Sequence, residues 1–235
     1  MLNKLFLAMS IKLVVFDMAG TTVKDENKVT QTFKSALKAH GYPVPDHIIN
    51  PLMGYKKIVA ITKMLHLYET DPSRITTGLI HQIHETFVGL MIEYYEQADF
   101  LEALPNAEST LLSLKKAGIQ VGINTGFSRD IAAVIINRLK WREKGVFDYL
   151  VCSDEVAEGR PNPEMINRLR QLAGISEAEE VAKVGDTEVD IREGQNAGCK
   201  YVIAVTTGAF TRAGLEPYQP THIIDDIAEV LHIVL

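Results

Sequence analysis

Apolar residues fall along this chain in two rhythms. Short apolar runs occur at Leu13–Phe16, Val121–Ile123, Tyr149–Cys152, Val181–Val184 and Tyr201–Val205, the pattern of strands buried on both faces. Between and after them, apolar residues recur at helical spacing through Leu111–Ala117, Ile131–Leu139, Met165–Ala173 and Ile191–Ala197. Strands alternating with helices predict an α/β fold built on a parallel sheet with both faces covered. From Thr22 to about Leu104 the strand rhythm stops, and only helical spacing remains, through Phe33–Leu37, Ile58–Leu65 and Ile80–Tyr94. The breaks Tyr42-Pro43-Val44-Pro45 and Thr70-Asp71-Pro72-Ser73 read as helix connections. The pattern therefore predicts a core interrupted after its first strand by an all-helical cap: residues 1–22 and 105–235 form the core and 23–104 the cap, with Pro105 marking the return.

The length of 235 residues and 46% hydrophobic content suffice for a substantial core. A net charge of −6 with a pI near 5.7 offers no broad cationic surface, which argues against nucleic acid and anionic membranes as partners. Met1–Ser10 is apolar but too short to span a bilayer and lacks a convincing cleavage site, so a cytoplasmic protein is expected, with Met9 as an alternative start. Cys152 and Cys199 follow no metal-ligand spacing and read as reduced, packed thiols. The oligomeric state is not legible, a homodimer being one alternative.

Candidate chemistry collects at the strand ends, where α/β enzymes bind their ligands. Asp17-Met18-Ala19-Gly20-Thr21-Thr22 follows the first strand directly. Asn124-Thr125-Gly126 closes the second, Gly159-Arg160-Pro161 follows the third, and Gly185-Asp186-Thr187 with Asp190 closes the fourth, continued by Gly194, Ala197 and Gly198. Taken singly, these have plain readings: a strand-end cap, a turn, a surface charge, a helix N-cap. Together they place carboxylates, a hydroxyl, an unobstructed amide at Gly126 and a permanent cation at the same end of one sheet.

Those four motifs, in that order, resemble the haloacid dehalogenase-like hydrolases, and within them the phosphonatase branch, phosphonoacetaldehyde hydrolase and its relatives. The resemblance covers nearly the whole chain from Ile11 and implies a Rossmann-like core with a helical cap. It implies that Asp17 is a nucleophile forming an aspartyl phosphate, and that Mg²⁺ is held by Asp17, the Ala19 carbonyl and Asp186, with Asp190 ligating directly or through water. Thr125 and Gly126 would bind a phosphoryl oxygen, and Arg160 would supply charge to the nucleophile and the transferring group. Arg129, at the start of the next helix, is a further candidate for holding phosphonate, a surface salt bridge being its alternative.

Position 19 is where many relatives carry an Asp that protonates a leaving alcohol; a methyl group cannot. The cap segment Met53-Gly54-Tyr55-Lys56-Lys57 resembles the phosphonatase segment whose lysine forms a Schiff base with the substrate aldehyde, and the matching residue is Lys57. A protonated imine next to the scissile bond accepts the carbon electron pair as an enamine, so no acid at position 19 is needed. The plain alternative is a solvated lysine. Three positions depart from phosphonoacetaldehyde hydrolase itself: Ala60 stands where the family has His, Phe127 where it has Tyr, and Asn27 where it has Cys. His81 and His84, with Glu85, read as incidental neighbours on a cap helix. The expected function is Mg²⁺-dependent P–C hydrolysis of a small carbonyl phosphonate. Phosphomonoester hydrolysis and a non-catalytic phosphate-binding regulator are the alternatives.

Overall fold

The computed structural model describes residues 10–235; the Met1–Met9 segment, with the alternative start, lies outside the described residues. Strand β1 (Leu13–Phe16) is followed by four helices: α1 (Lys28–Ala39), α2 (Asp46–Ile49), α3 (Lys57–Tyr68) and α4 (Thr77–Gln97). The chain then alternates through α5 (Ala107–Lys116), β2 (Gln120–Thr125), α6 (Arg129–Leu139), β3 (Tyr149–Cys152), α7 (Glu164–Ala173), β4 (Val181–Gly185), α8 (Glu188–Asn196), β5 (Tyr201–Val205) and β6 (His222–Ile224). All six strands form one parallel, Rossmann-like sheet in the order β3-β2-β1-β4-β5-β6. Short elements go beyond the sequence reading, among them the edge strand β6 with three residues and α2 with four, too few for either to show a period.

Alternation along β1 divides the core. Val14 and Phe16 pack with Leu111 and Leu114 of α5 and Ile131 and Ile135 of α6, whereas Leu13 and Val15 face Met165, Ile166 and Leu169 of α7. Both faces are buried, so the run is apolar throughout. The helices between β1 and β2 close around Phe33 and Phe87, stacked at 4.3 Å between ring centroids, with Leu37, Ile61, Leu65, Ile83 and Met91 fully buried beside them. Each such side chain contributes about 1.5–3 kcal/mol relative to exposure. This helical unit joins the sheet through two segments lying side by side. Val23 bridges Ala103, Lys24 N–H donates to the Glu102 carbonyl (3.1 Å) and Leu104 N–H to that of Thr22 (3.0 Å). Among the described residues, no helix is long and apolar enough to cross a membrane.

Register positions the site. Phe16 lies opposite Ile123 on one side and Val184 on the other, so Asp17, Asn124 and Gly185 lie at one level. The strand order reverses at β1, and the crevice outside the carboxyl ends of β1 and β4 is the topological switch point where such sheets bind ligands.

Candidate active site

Asp17, 5% exposed, sits at the centre of a buried polar network. Its Oδ1 accepts from Arg160 Nη1 at 2.5 Å. Arg160 also donates through Nη2 to the Asn124 carbonyl (2.8 Å) and Oδ1 (2.6 Å), and through Nε to Glu193 (3.0 Å). Lys183, wholly buried within β4, donates to Asn124 Oδ1 at 2.7 Å and pairs with Asp190 at 2.9 Å. Asn124 Nδ2 in turn holds Glu193 at 2.8 Å. Burial works against the charge on Arg160, but Asp190, Asp17 and Glu193 outweigh it and hold the guanidinium charged. One arginine thus fixes the Asp17 carboxylate from behind and leaves its other oxygen toward the cavity.

Asp17, Asp186 and Asp190 each present an oxygen within 4.8 Å of the others. Burial, followed by the neighbouring carboxylates, raises Asp186 well above the ordinary range; burial also raises Asp17 despite Arg160. Asp190 is instead lowered, because Arg160, Lys183 and the Thr187 hydroxyl overcome its burial. Three buried carboxylate oxygens converging in this way form an all-oxygen donor set, which suits a hard divalent ion. Asp186 is aimed by Thr21 Oγ1 (3.0 Å) and Ala209 N–H (2.7 Å). Asp190 lies behind it: Oδ2 accepts from Thr187 Oγ1 at 2.5 Å, and Oδ1 rests against Lys183 and Arg160.

Lys57 opens α3 and is 5% exposed, so it is not the solvated lysine of the plain alternative. Its Nζ lies 5.0 Å from the Phe127 ring centre and 5.5 Å from that of Phe33. Burial first, and Arg160 second, bring it down to about 8 against the pull of Asp17. The adjacent Lys56 turns away and donates to the carbonyls of Val156 (3.0 Å) and Ala157 (3.4 Å), on the loop that leads to Arg160. Lys57 and Asp17 line one cavity with Ala19, Asp25, Met53, Thr125, Gly126, Phe127, Arg160 and Asp186. Its volume is about 50 Å³. That is room for a few waters at roughly 10–15 Å³ each.

The lip between cap and core is bare backbone. A Cβ at Gly126 would lie 2.7 Å from the carbonyl oxygens of Gly54 and Tyr55, one at Gly54 2.4 Å from Thr187 Oγ1, and one at Gly159 2.8 Å from Lys56 Cβ. Gly126→Ala is therefore expected to hold the cap open. The expected result is a fall in kcat on the order of 100-fold, the cost of misplacing reacting groups by about 1 Å, with the thermal midpoint moved by only a few degrees. Unchanged kcat would mean the lip yields.

Of the residues singled out in the sequence, Asp17, Ala19, Lys57, Thr125, Gly126, Arg160 and Asp186 line the cavity, and Asp190 supports it from behind. Arg129 does not belong with them. Its guanidinium pairs with Glu155 at 2.5 Å outside the cavity, and its backbone N–H donates to Asp154, the arrangement of the surface salt-bridge alternative. His81, His84 and Glu85 on α4 do not reach the cavity. Burial pushes the Cys152 and Cys199 thiols up to about 12, as befits inert packing. The sequence reading missed Lys183, Glu193 and Asp25. A lysine inside the apolar run Val181–Val184 was the available signal for the first, and Glu193, one turn beyond Asp190 on α8, for the second.

A family model for haloacid dehalogenase-like hydrolases matches residues 14–204, and the chain belongs to that family. Within it, the chain is 30% identical over 212 residues to the phosphonoacetaldehyde hydrolase of Paraburkholderia xenovorans (strain LB400), covering 86% of this chain and 78% of that protein. It is 29% identical over 226 residues to the pyrophosphatase PpaX of Bacillus cereus (strain AH820), covering 96% and 97%. With the bifunctional phosphonoacetaldehyde hydrolase/aminoethylphosphonate transaminase of Clostridioides difficile (strain 630) it shares 27% identity over 215 residues, 85% of this chain, and spans about a third (32%) of that relative. The crystal structure of a phosphonoacetaldehyde hydrolase-like protein from Oleispira antarctica matches with a TM-score of 0.83 at 20% identity, over 96% of this chain and 91% of that one, a likeness of fold.

Proposed function

We propose that this protein is a Mg²⁺-dependent hydrolase that cleaves the P–C bond of phosphonoacetaldehyde or a related small carbonyl phosphonate. The observation that carries this reading is the pairing of Lys57, buried and drawn down to about 8, with a methyl group at position 19 in the cavity that holds Asp17. A lysine near 8 is partly neutral at physiological pH and able to attack an aldehyde. Asp17 would then attack phosphorus, while the carbon fragment leaves with the bonding pair into the iminium on Lys57. The phosphoryl group would stay on Asp17 as an acyl phosphate until water releases it. Arg160 and the Thr125–Gly126 turn would steady the phosphoryl oxygens. Asp17, Asp186 and the Ala19 carbonyl would hold Mg²⁺, which supplies charge neutralisation for a dianionic group approaching carboxylates.

The second reading is phosphate-ester or pyrophosphate hydrolysis, favoured by the similarity to a pyrophosphatase over nearly its full length. It leaves position 19 without an acid and Lys57 without a task. A turnover assay with Mg²⁺, offering phosphonoacetaldehyde beside small phosphate esters, separates the two: acetaldehyde release is expected. Rapid phosphate release from esters alone would replace the P–C reading, and silence with both would favour a non-catalytic binder. Ala19→Asp sharpens the contrast. It should leave P–C cleavage equal or slower, because the new carboxylate crowds and pairs with Lys57, whereas under the ester reading it should accelerate hydrolysis by restoring a general acid.

A further inference from the structure

Five ionisable side chains line the cavity: Asp17, Asp25, Lys57, Arg160 and Asp186. Asp17 and Asp186 belong to the acidic cluster, Arg160 is tied to Asp17, Asn124 and Glu193, and Lys57 is the amine. Asp25 alone has no role so far. It lies between the Val23 link and α1, and its Oδ1 accepts from the N–H groups of Lys28 (2.9 Å) and Val29 (3.4 Å). The first turn of α1 therefore fixes the carboxyl in place. Its Oδ2 accepts no hydrogen bond among the described residues.

Imine formation needs a group that takes a proton and later returns it. Beside Lys57 the cavity offers only a bare ring at Phe127, and Arg160 never releases its proton. We infer that Asp25 is the general acid–base for imine formation at Lys57, an assignment that rests on the P–C reading. As carboxylate it takes one proton from the Lys57 ammonium through a water in the cavity they share. The neutral Nζ adds to the aldehyde carbon, the C=O pair moves to oxygen, and the oxygen takes a second proton from the nitrogen. The resulting carbinolamine loses water: the nitrogen lone pair forms C=N, the C–O bond breaks, and the Asp25 carboxylic acid protonates the departing hydroxyl. The products are a protonated imine, water and the Asp25 carboxylate, and charge balances. The electrostatics fit the exchange. Burial raises Asp25 against the Lys28 and Val29 N–H groups and the Lys57 and Lys28 charges, while burial lowers Lys57, so the two affinities for a proton move together.

Asp25→Asn keeps an acceptor for the α1 N–H groups and removes the proton carrier. Borohydride added with phosphonoacetaldehyde should trap the carbon fragment on Lys57 in the wild-type chain. In Asp25→Asn both the trapping rate and acetaldehyde release should fall on the order of 100-fold, with the thermal midpoint within a few degrees of wild type. Asp25→Ser, which also caps the helix, should behave alike, and Asp25→Glu should recover part of the rate. Trapping at the wild-type rate in Asp25→Asn or Asp25→Ser overturns the role of Asp25 and leaves the P–C reading standing. Failure of the wild-type chain itself to form an adduct on Lys57 overturns both.

Discussion

An Asp17→Asn chain is expected to fold normally and to release neither phosphate nor acetaldehyde at a measurable rate. The amide matches the carboxylate in shape and still offers Arg160 an acceptor oxygen, so the network around Asn124 and Glu193 stays satisfied. What disappears is the nucleophile, together with one of the charges that would attract the cation. Removing a nucleophile from a cooperating set costs on the order of 10⁴-fold or more in kcat. Stability should move the other way. Asp17 is raised in the folded chain, so its ionised form destabilises the fold above that raised value, and the penalty fades as pH falls toward the ordinary 3.8. In metal-free buffer at neutral pH, Asp17→Asn should therefore melt at or above the wild-type temperature, with the difference shrinking in acid. Turnover above about a hundredth of wild type would refute an aspartyl-phosphate mechanism.

Lys57→Met should produce the second large effect, and again in two directions. P–C cleavage and borohydride trapping should both vanish, since no amine remains to form the imine. The fold should gain stability, because an ammonium drawn from 10.5 to about 8 carries a burial penalty. The penalty is complete below about 8 and is relieved as pH rises from there to 10.5. The shift corresponds to roughly 3 kcal/mol, and loss of the contacts with Phe33 and Phe127 offsets about 0.5–2 kcal/mol of it. A net gain on the order of 1–3 kcal/mol at neutral pH is expected from denaturant titration, disappearing above pH 10.5. For the intact enzyme, the rate of imine formation should rise with pH and level off above about 8, where the amine is largely neutral. A less stable Lys57→Met chain would mean that Lys57 packs as a structural residue.

Much of the fold was legible because its strands are buried on both faces, which leaves runs such as Leu13–Phe16 with no polar interruption. The site was legible for a related reason: the register of β1, β2 and β4 brings the residues that follow each run to one level. What escaped depends on distances the sequence does not carry. Lys183 was visible as an oddity, but its partner Asn124 is 59 residues away, and Glu193 meets Asn124 across 69. Arg129 stayed open between two readings for the same cause, its partner Glu155 lying 26 residues on in another loop. The choice between Lys56 and Lys57 turned on one residue's rotation about a helix start. The motif pointed to Lys57, and only the structure sends Lys56 to the Val156 carbonyl.

The glycine lip has a consequence for what this pocket can be taught to accept. Selectivity by size is usually tuned at side chains, where a shorter residue makes room for a longer ligand. Here the contact between cap and core at Gly126 is with peptide backbone, the carbonyls of Gly54 and Tyr55, and a backbone has nothing left to truncate. How far the cap descends at this point is set by the distance between two main chains. Directed change toward bulkier molecules would therefore have to act on the segments that carry the cap, near Val23 and Ala103, more than 75 residues apart in sequence yet paired in space, as well as on side chains of the pocket such as Met53 and Phe127.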